Sequence, residues 1–264
     1  MSARVTPYEM ILESFEHDAF PAIRAEAEQR GRDPRNHDDF MLLGLVGATL
    51  ASMIADDAPP EALDQYGELL WQGFRFWSTG RRIYAFDEMI TERLTAPQRD
   101  LGQWELAAPP AAYLQFPYQR VWTRVVPDAP YEPVDGCFVA SNAELVSHGE
   151  PTELRLLLVL GLRADRPGVS LVLHRVELDP GDAPRLARAP WRDSGNAFAN
   201  TMPGGERKGL RTLITEGELE ALVLRALHVL DTQPRVLVPR PGGSATPGES
   251  RLPHVDVYAE LPSL

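Results

Sequence analysis

Apolar positions change their period part-way along this chain. Up to about Thr79 they recur every three to four residues, which predicts helices. Tyr8, Ile11, Leu12 and Phe15 fall at helical spacing. Pro21 predicts the opening of a second helix reaching Arg30, at a position where its missing N–H is no loss. Asn36 suits a cap for the next helix, with Asp38 and Asp39 at the positive helix end. That helix, Phe40 to Ala55, is apolar nearly all round, which predicts a central place. Pro60 opens another, with Leu63, Tyr66, Leu70, Phe74 and Trp77 in one stripe and Gly80 as its stop.

From Arg81 the pattern turns to short β pieces: Ile83 to Ile90, Ala112 to Pro117, Val121-Trp122 and Asp135 to Val139. Leu154, Leu156, Leu158, Leu160 and Leu162 share one strand face, and Leu157 and Val159 lie on the other. A strand apolar on both faces is central in its sheet. The turn Asp165-Arg166-Pro167-Gly168 leads into Val169 to Leu178, which predicts an antiparallel hairpin. Thr215 and Glu218 form a capping box. The helix after it carries Leu219, Leu222, Val223, Ala226, Leu227 and Leu230 on one face. Val255, Val257, Ala259 and Leu261 alternate in a last strand.

The fold class that follows is α+β: a helical N-terminal half, then a mostly antiparallel sheet with one late packing helix. The chain divides into a helical region, 1–80, and an α+β region, 81–264. Whether they share one core is left open. The second region holds a long Pro/Arg-rich loop (179–213) and a Pro/Gly linker (239–253).

The chain has 264 residues and a net charge of −12. That charge repels nucleic acid and anionic membranes at long range, so general binding to either is not expected. An acidic surface fits solubility, or docking onto a basic protein face. A single cysteine, Cys137, excludes an intramolecular disulfide and predicts a cytoplasmic protein. Met1-Ser2-Ala3-Arg4 leads into no apolar signal core. The longest apolar run, Phe40 to Ala55, is shorter than the ~20 residues of a membrane span.

Candidate chemistry is sparse. Serine-elbow, zinc-protease, Cys-x-x-Cys and Rossmann signatures are missing, and no cofactor is expected. His17-Asp18 and His37-Asp38 allow a metal-dependent phosphohydrolase of HD type. His17, His37 and Asp38, with Asp64 or Asp87, would hold a cation that activates water. Helix-end decoration is the plainer reading of the same residues. Cys137, with His148 the nearest histidine in sequence, reads as a buried thiol. His174 shares a face with Val172, Val176 and Leu178 and reads as a core histidine. Glu132, Asp135, Glu144, Glu150 and Glu153 read as a solvated acidic face. The only basic concentration is Arg185, Arg188, Arg192, Arg207, Lys208 and Arg211, around Trp191. It suits a phosphate or an acidic partner, or self-pairing with the acidic body.

Aromatic residues left near a surface anchor protein partners. Phe76 lies off its helix stripe, Tyr118 follows Pro117 at a predicted strand end, and Trp122 belongs to the same dense aromatic series. With Arg188, Trp191 and Arg192 they make the candidate partner-binding set.

The run Ile83-Tyr84-x-Phe86-Asp87-Glu88-x-Ile90, then Tyr113-Leu114-Gln115-Phe116-Pro117, Val121-Trp122 and Gly136-x-Phe138, resembles the large anti-CRISPR proteins that act on the type V-A effector nuclease. That family likewise places a helical part before this run and adds strands and a late helix, here Thr215 to Asp231. The resemblance implies a non-enzymatic protein that recognises a polypeptide segment and suppresses its target. It carries over no binding residue. The functional expectation is a phage- or defence-related protein–protein interaction module. The alternatives are the HD-type phosphohydrolase and a structural subunit whose Phe40–Ala55 helix is partly covered by a neighbour.

Overall fold

This computed structural model describes residues 6–53, 60–95, 111–124, 128–141, 153–161, 170–179, 185–186, 198–199, 212–214, 216–232, 237–240, 252 and 254–257. The first helical segment is irregular, a π-helical turn over Tyr8–Leu12 followed by a 3-10 turn over Glu13–Glu16. Helix α1 spans Ala19–Gln29. It starts two residues before Pro21, which still lies in the first turn, where N–H groups have no helical partner. Helix α2, His37–Met41, is capped as predicted: the Asn36 side chain accepts from the N–H groups of Asp38 and Asp39. Helices α3, Gly44–Met53, and α4, Pro60–Ser78, follow. α4 stops where the sequence placed its stop. Gly80 takes φ 96°, and the Arg81 N–H reaches back 2.8 Å to the Phe76 carbonyl.

Strand β1 is Ile83–Phe86. The β pattern does not continue to Ile90, because Glu88–Thr95 is a helix, α5. The Asp87 carboxylate accepts from the Ile90 N–H at 2.7 Å, so a local cap overrides the alternation. Strands β2 (Ala112–Gln115), β3 (Val121–Thr123), β4 (Glu132–Ser141), β5 (Glu153–Leu160) and β6 (Ser170–Asp179) come next. Inside the predicted long loop lie two short strands, β7 (Arg185–Leu186) and β8 (Phe198–Ala199). Then come β9 (Thr212–Ile214), α6 (Glu216–Thr232), β10 (Leu237–Arg240) and β11 (His254–Val257). The predicted linker therefore loses its first residues to β10. Pro239 is tolerated there because β10 is an edge strand.

The fold is α+β with a mostly antiparallel sheet. Among the described residues, only β1 with β11, β1 with β2, and β3 with β9 pair in parallel. The predicted hairpin partners, β5 and β6, pair antiparallel over their length. β5 lies between β4 and β6 and is buried on both faces. Leu154, Leu156, Leu158 and Leu160 pack with α5 and α6. Leu157 and Val159 pack with the N-terminal helices. The second of these clusters joins helical side chains such as Tyr8, Phe40 and Phe74 to sheet side chains such as Tyr113 and Phe138.

One helix does not take the place the sequence predicted for it. The Phe40–Ala55 helix is neither single nor central. It divides into α2 and α3, and its buried side chains Phe40, Leu43 and Val46 form one narrow line. Gly44, Gly47, Ala48 and Ala51 raise its apolar count but bring little area to bury, and all four face solvent. α4 is the central helix, buried on every side from Gly67 to Phe76. Phe76, predicted for a partner surface, is 1 % exposed and packs edge-on between Tyr8 and Phe138. Its position off the stripe points it at the sheet, not at solvent. Among the described residues no helix is long and apolar enough to cross a membrane.

Candidate functional site

His17 and His37 sit in different surroundings. His17 is exposed between the 3-10 turn and α1, at the lip of a groove that also contains Glu16 and Arg81. His37 opens α2, with Nε2 3.3 Å from Glu68 Oε2 and Nδ1 3.6 Å from Asp38 Oδ1. Asp64 is exposed, and Asp87 caps α5. Among the described residues no three His, Cys, Asp or Glu side chains converge as a metal site would require.

His37 instead joins a buried ionic network on one face of α4. Arg155, on β5, donates from Nη1 to Glu68 Oε2 at 3.0 Å and from Nε to Glu153 Oε1 at 2.5 Å. The Gln72 amide donates to Glu68 Oε1 at 3.2 Å. The Arg155 guanidinium lies 5.2 Å from the Trp71 ring, and His37 meets the same ring edge-on. Glu68 and Arg155 side chains are only 2 % and 8 % exposed. In the loop before α2, burial pushes the Asp33 carboxyl up, but Arg35 hydrogen bonds and the Arg35 and Arg75 charges bring it below its ordinary value.

The sequence reading found His37 but missed Glu68, Gln72 and Arg155. Glu68, Gln72 and Arg75 recur at one helical spacing, which in an amphipathic helix reads as the solvent face. The available signal was Arg155, a cation among consecutive leucines, which needs a buried counter-charge. Chemically the network is a lock. It ties α2, and α3 behind it, to α4 and the sheet.

Other candidates resolve into structure. Cys137 is fully buried, and burial pushes its thiol well above the ordinary value. The folded thiol therefore stays protonated where the unfolded one ionises. Its stabilising contribution is full below about pH 8.5 and falls by about 1.4 kcal/mol per pH unit above it. Between about pH 8 and about pH 10, urea unfolding is expected to show a larger loss for the native chain than for Cys137→Ala. Equal losses would overturn this. His174 does not stand alone on its face, since Nδ1 lies 3.2 Å from Glu220 Oε2 on α6. Asp135 is not on a solvated face. It is 6 % exposed at an irregularity in the β4–β5 register and accepts from the Tyr113 hydroxyl. Tyr118 is 54 % exposed, as expected of a surface aromatic. Trp122 is half-buried and donates from its indole to the Gln119 carbonyl. Arg188, Trp191 and Arg192 lie outside the described residues.

The surface that stands out is carried by α2 and α3. Leu42 is 68 % exposed, Leu45 36 %, and Leu63 on α4 44 %. Both α3 hydroxyls with described contacts turn inward: Thr49 donates to the Leu45 carbonyl and Ser52 to the Thr49 carbonyl. From Asn36 to Phe74 there is no Lys or Arg, whereas Asp38, Asp39, Asp56, Asp57, Glu61 and Asp64 all fall in this stretch. Asp38 is 93 % exposed. Among the described acids of this stretch, Asp64 is exposed as well, whereas Asp39 pairs with Arg32 at 2.6 Å.

No protein-family model and no curated protein matches the chain. The geometry of this surface and of the buried network is what bears on function.

Proposed function

We propose that this protein is a non-enzymatic interaction module that docks through α2 and α3 onto a protein whose apolar surface is rimmed by Lys and Arg. The observation that carries this reading is the exposure of Leu42 and Leu45 in a segment with no Lys or Arg of its own. Exposed apolar surface framed by polar residues marks interaction sites. The acidic sequence of this segment selects against a second copy of the chain, which would bring the same acids, and in favour of a basic partner. Proteins that bind nucleic acid carry such basic surfaces. The resemblance of 83–139 to the anti-CRISPR family supports the same class of partner, with the type V-A effector nuclease as the first candidate to test.

Leu42→Glu with Leu45→Glu is expected to leave the fold within about 0.5 kcal/mol of native, as is usual for surface sites. The double variant is also expected to lose a stoichiometric basic partner that the native protein retains on affinity capture. Retention should weaken as salt rises. Partners retained equally by native protein and variant would overturn the proposal. A native dimer that dissociates in the variant would replace it with self-association.

A further inference from the structure

A groove of about 410 Å³ opens where the C-terminal end of α4 meets α1. Its size falls within the range of about 300–1,000 Å³ of small-molecule sites. Glu16, His17, Arg24, Trp77, Gly80 and Arg81 line it. Glu16 is fully engaged: both of its oxygens accept from Arg81 Nη1, at 3.0 and 3.1 Å, and Oε2 also accepts from the Tyr8 hydroxyl at 2.6 Å. Burial, together with that hydrogen bond and the Glu16 charge, raises the Tyr8 phenol, which keeps it a donor to this carboxylate.

The Glu16 charge is thus cancelled by Arg81, and the groove keeps a positive surplus. Arg24 supplies it. Its guanidinium is held 4.6 Å from the centre of the Trp77 ring and pairs with no carboxylate among the described residues. Stacking fixes the plane of the guanidinium and leaves its N–H edge for a ligand. The last turn of α4 adds few open acceptors. The Phe76 carbonyl accepts from the Arg81 N–H, and the Trp77 carbonyl from the Gly80 N–H. His17, exposed at the lip, adds a ring N–H as a second donor beside Arg24.

We propose that this groove binds a small molecule bearing a carboxylate or phosphate, with Arg24 as its principal contact and His17 as a second. The site is separate from the α2–α3 surface and does not depend on it.

Isothermal titration of the full chain with benzoate and, separately, with inorganic phosphate tests the assignment. At least one probe is expected to saturate with a dissociation constant of about the millimolar range. Arg24→Gln should weaken it about tenfold, and Arg24→Lys, which keeps the charge but not the fork, by less. His17→Gln should have a smaller effect. Tighter benzoate binding assigns carboxylate ligands, and tighter phosphate binding assigns phosphate ligands. Failure of both probes to saturate, or native affinity in a folded Arg24→Gln variant, would overturn the proposal. Arg24 is exposed, so its variants retain the fold.

Discussion

Arg155→Leu is expected to lower stability by about 3–5 kcal/mol, the usual result of stranding one member of a buried ion pair. Glu68, 2 % exposed, would keep only His37 and Gln72 as partners. Replacing Glu68 and Arg155 together by leucine should recover most of that loss, because two apolar side chains pack where two ions had to be desolvated. His37 and Glu153, 22 % and 20 % exposed, can turn to water in the double variant. Urea unfolding of the native chain, both single variants and the double variant closes the cycle. A single-variant loss below about 1 kcal/mol would mean that the network is solvated and not buried. The same cycle probes the proposed docking surface. His37 begins α2, so cutting its tie to Glu68 should speed amide exchange in α2 and α3 before it does so in the sheet.

Gly136→Ala should be at least as damaging, with an expected loss of about 4 kcal/mol or more. A Cβ at this position would lie 2.2 Å from the Leu114 carbonyl oxygen and 2.6 Å from the Tyr113 ring. The first obstacle is backbone of the neighbouring strand, which cannot withdraw without breaking the β2–β4 ladder. The second is the ring whose hydroxyl reaches Asp135 across the glycine. Only a residue without a side chain lets both approach. Retention of the fold, with a loss under about 1 kcal/mol, would show that β2 can shift away from β4. By contrast, Gly47→Ala on α3 meets no atom within 4 Å and should be harmless or mildly stabilising.

These two effects differ in how far they could be read from sequence. The strand containing Gly136 was visible, but the glycine's role was not. It depends on which residue of β2 stands opposite, and that register pairs residues 21 positions apart, Gln115 with Gly136. The Glu68–Arg155 pair joins residues 87 positions apart. No local pattern carries such information.

By itself the sequence determined what is local or periodic. The Asn36 cap and the Gly80 stop act within one helical turn, through a side chain and a glycine already in place. Leu154, Leu156, Leu158 and Leu160 on one face, with Leu157 and Val159 on the other, made β5 a strand buried on both faces. Tertiary structure decided which surfaces those elements turn toward one another. It buried Phe76 against Tyr8 and Phe138. It made α4 central and left α3 outside, although α3 has the more apolar sequence. The reason is area: large side chains on α4 fill the space against the sheet, while α3 offers mostly glycine and alanine and can bury one narrow line.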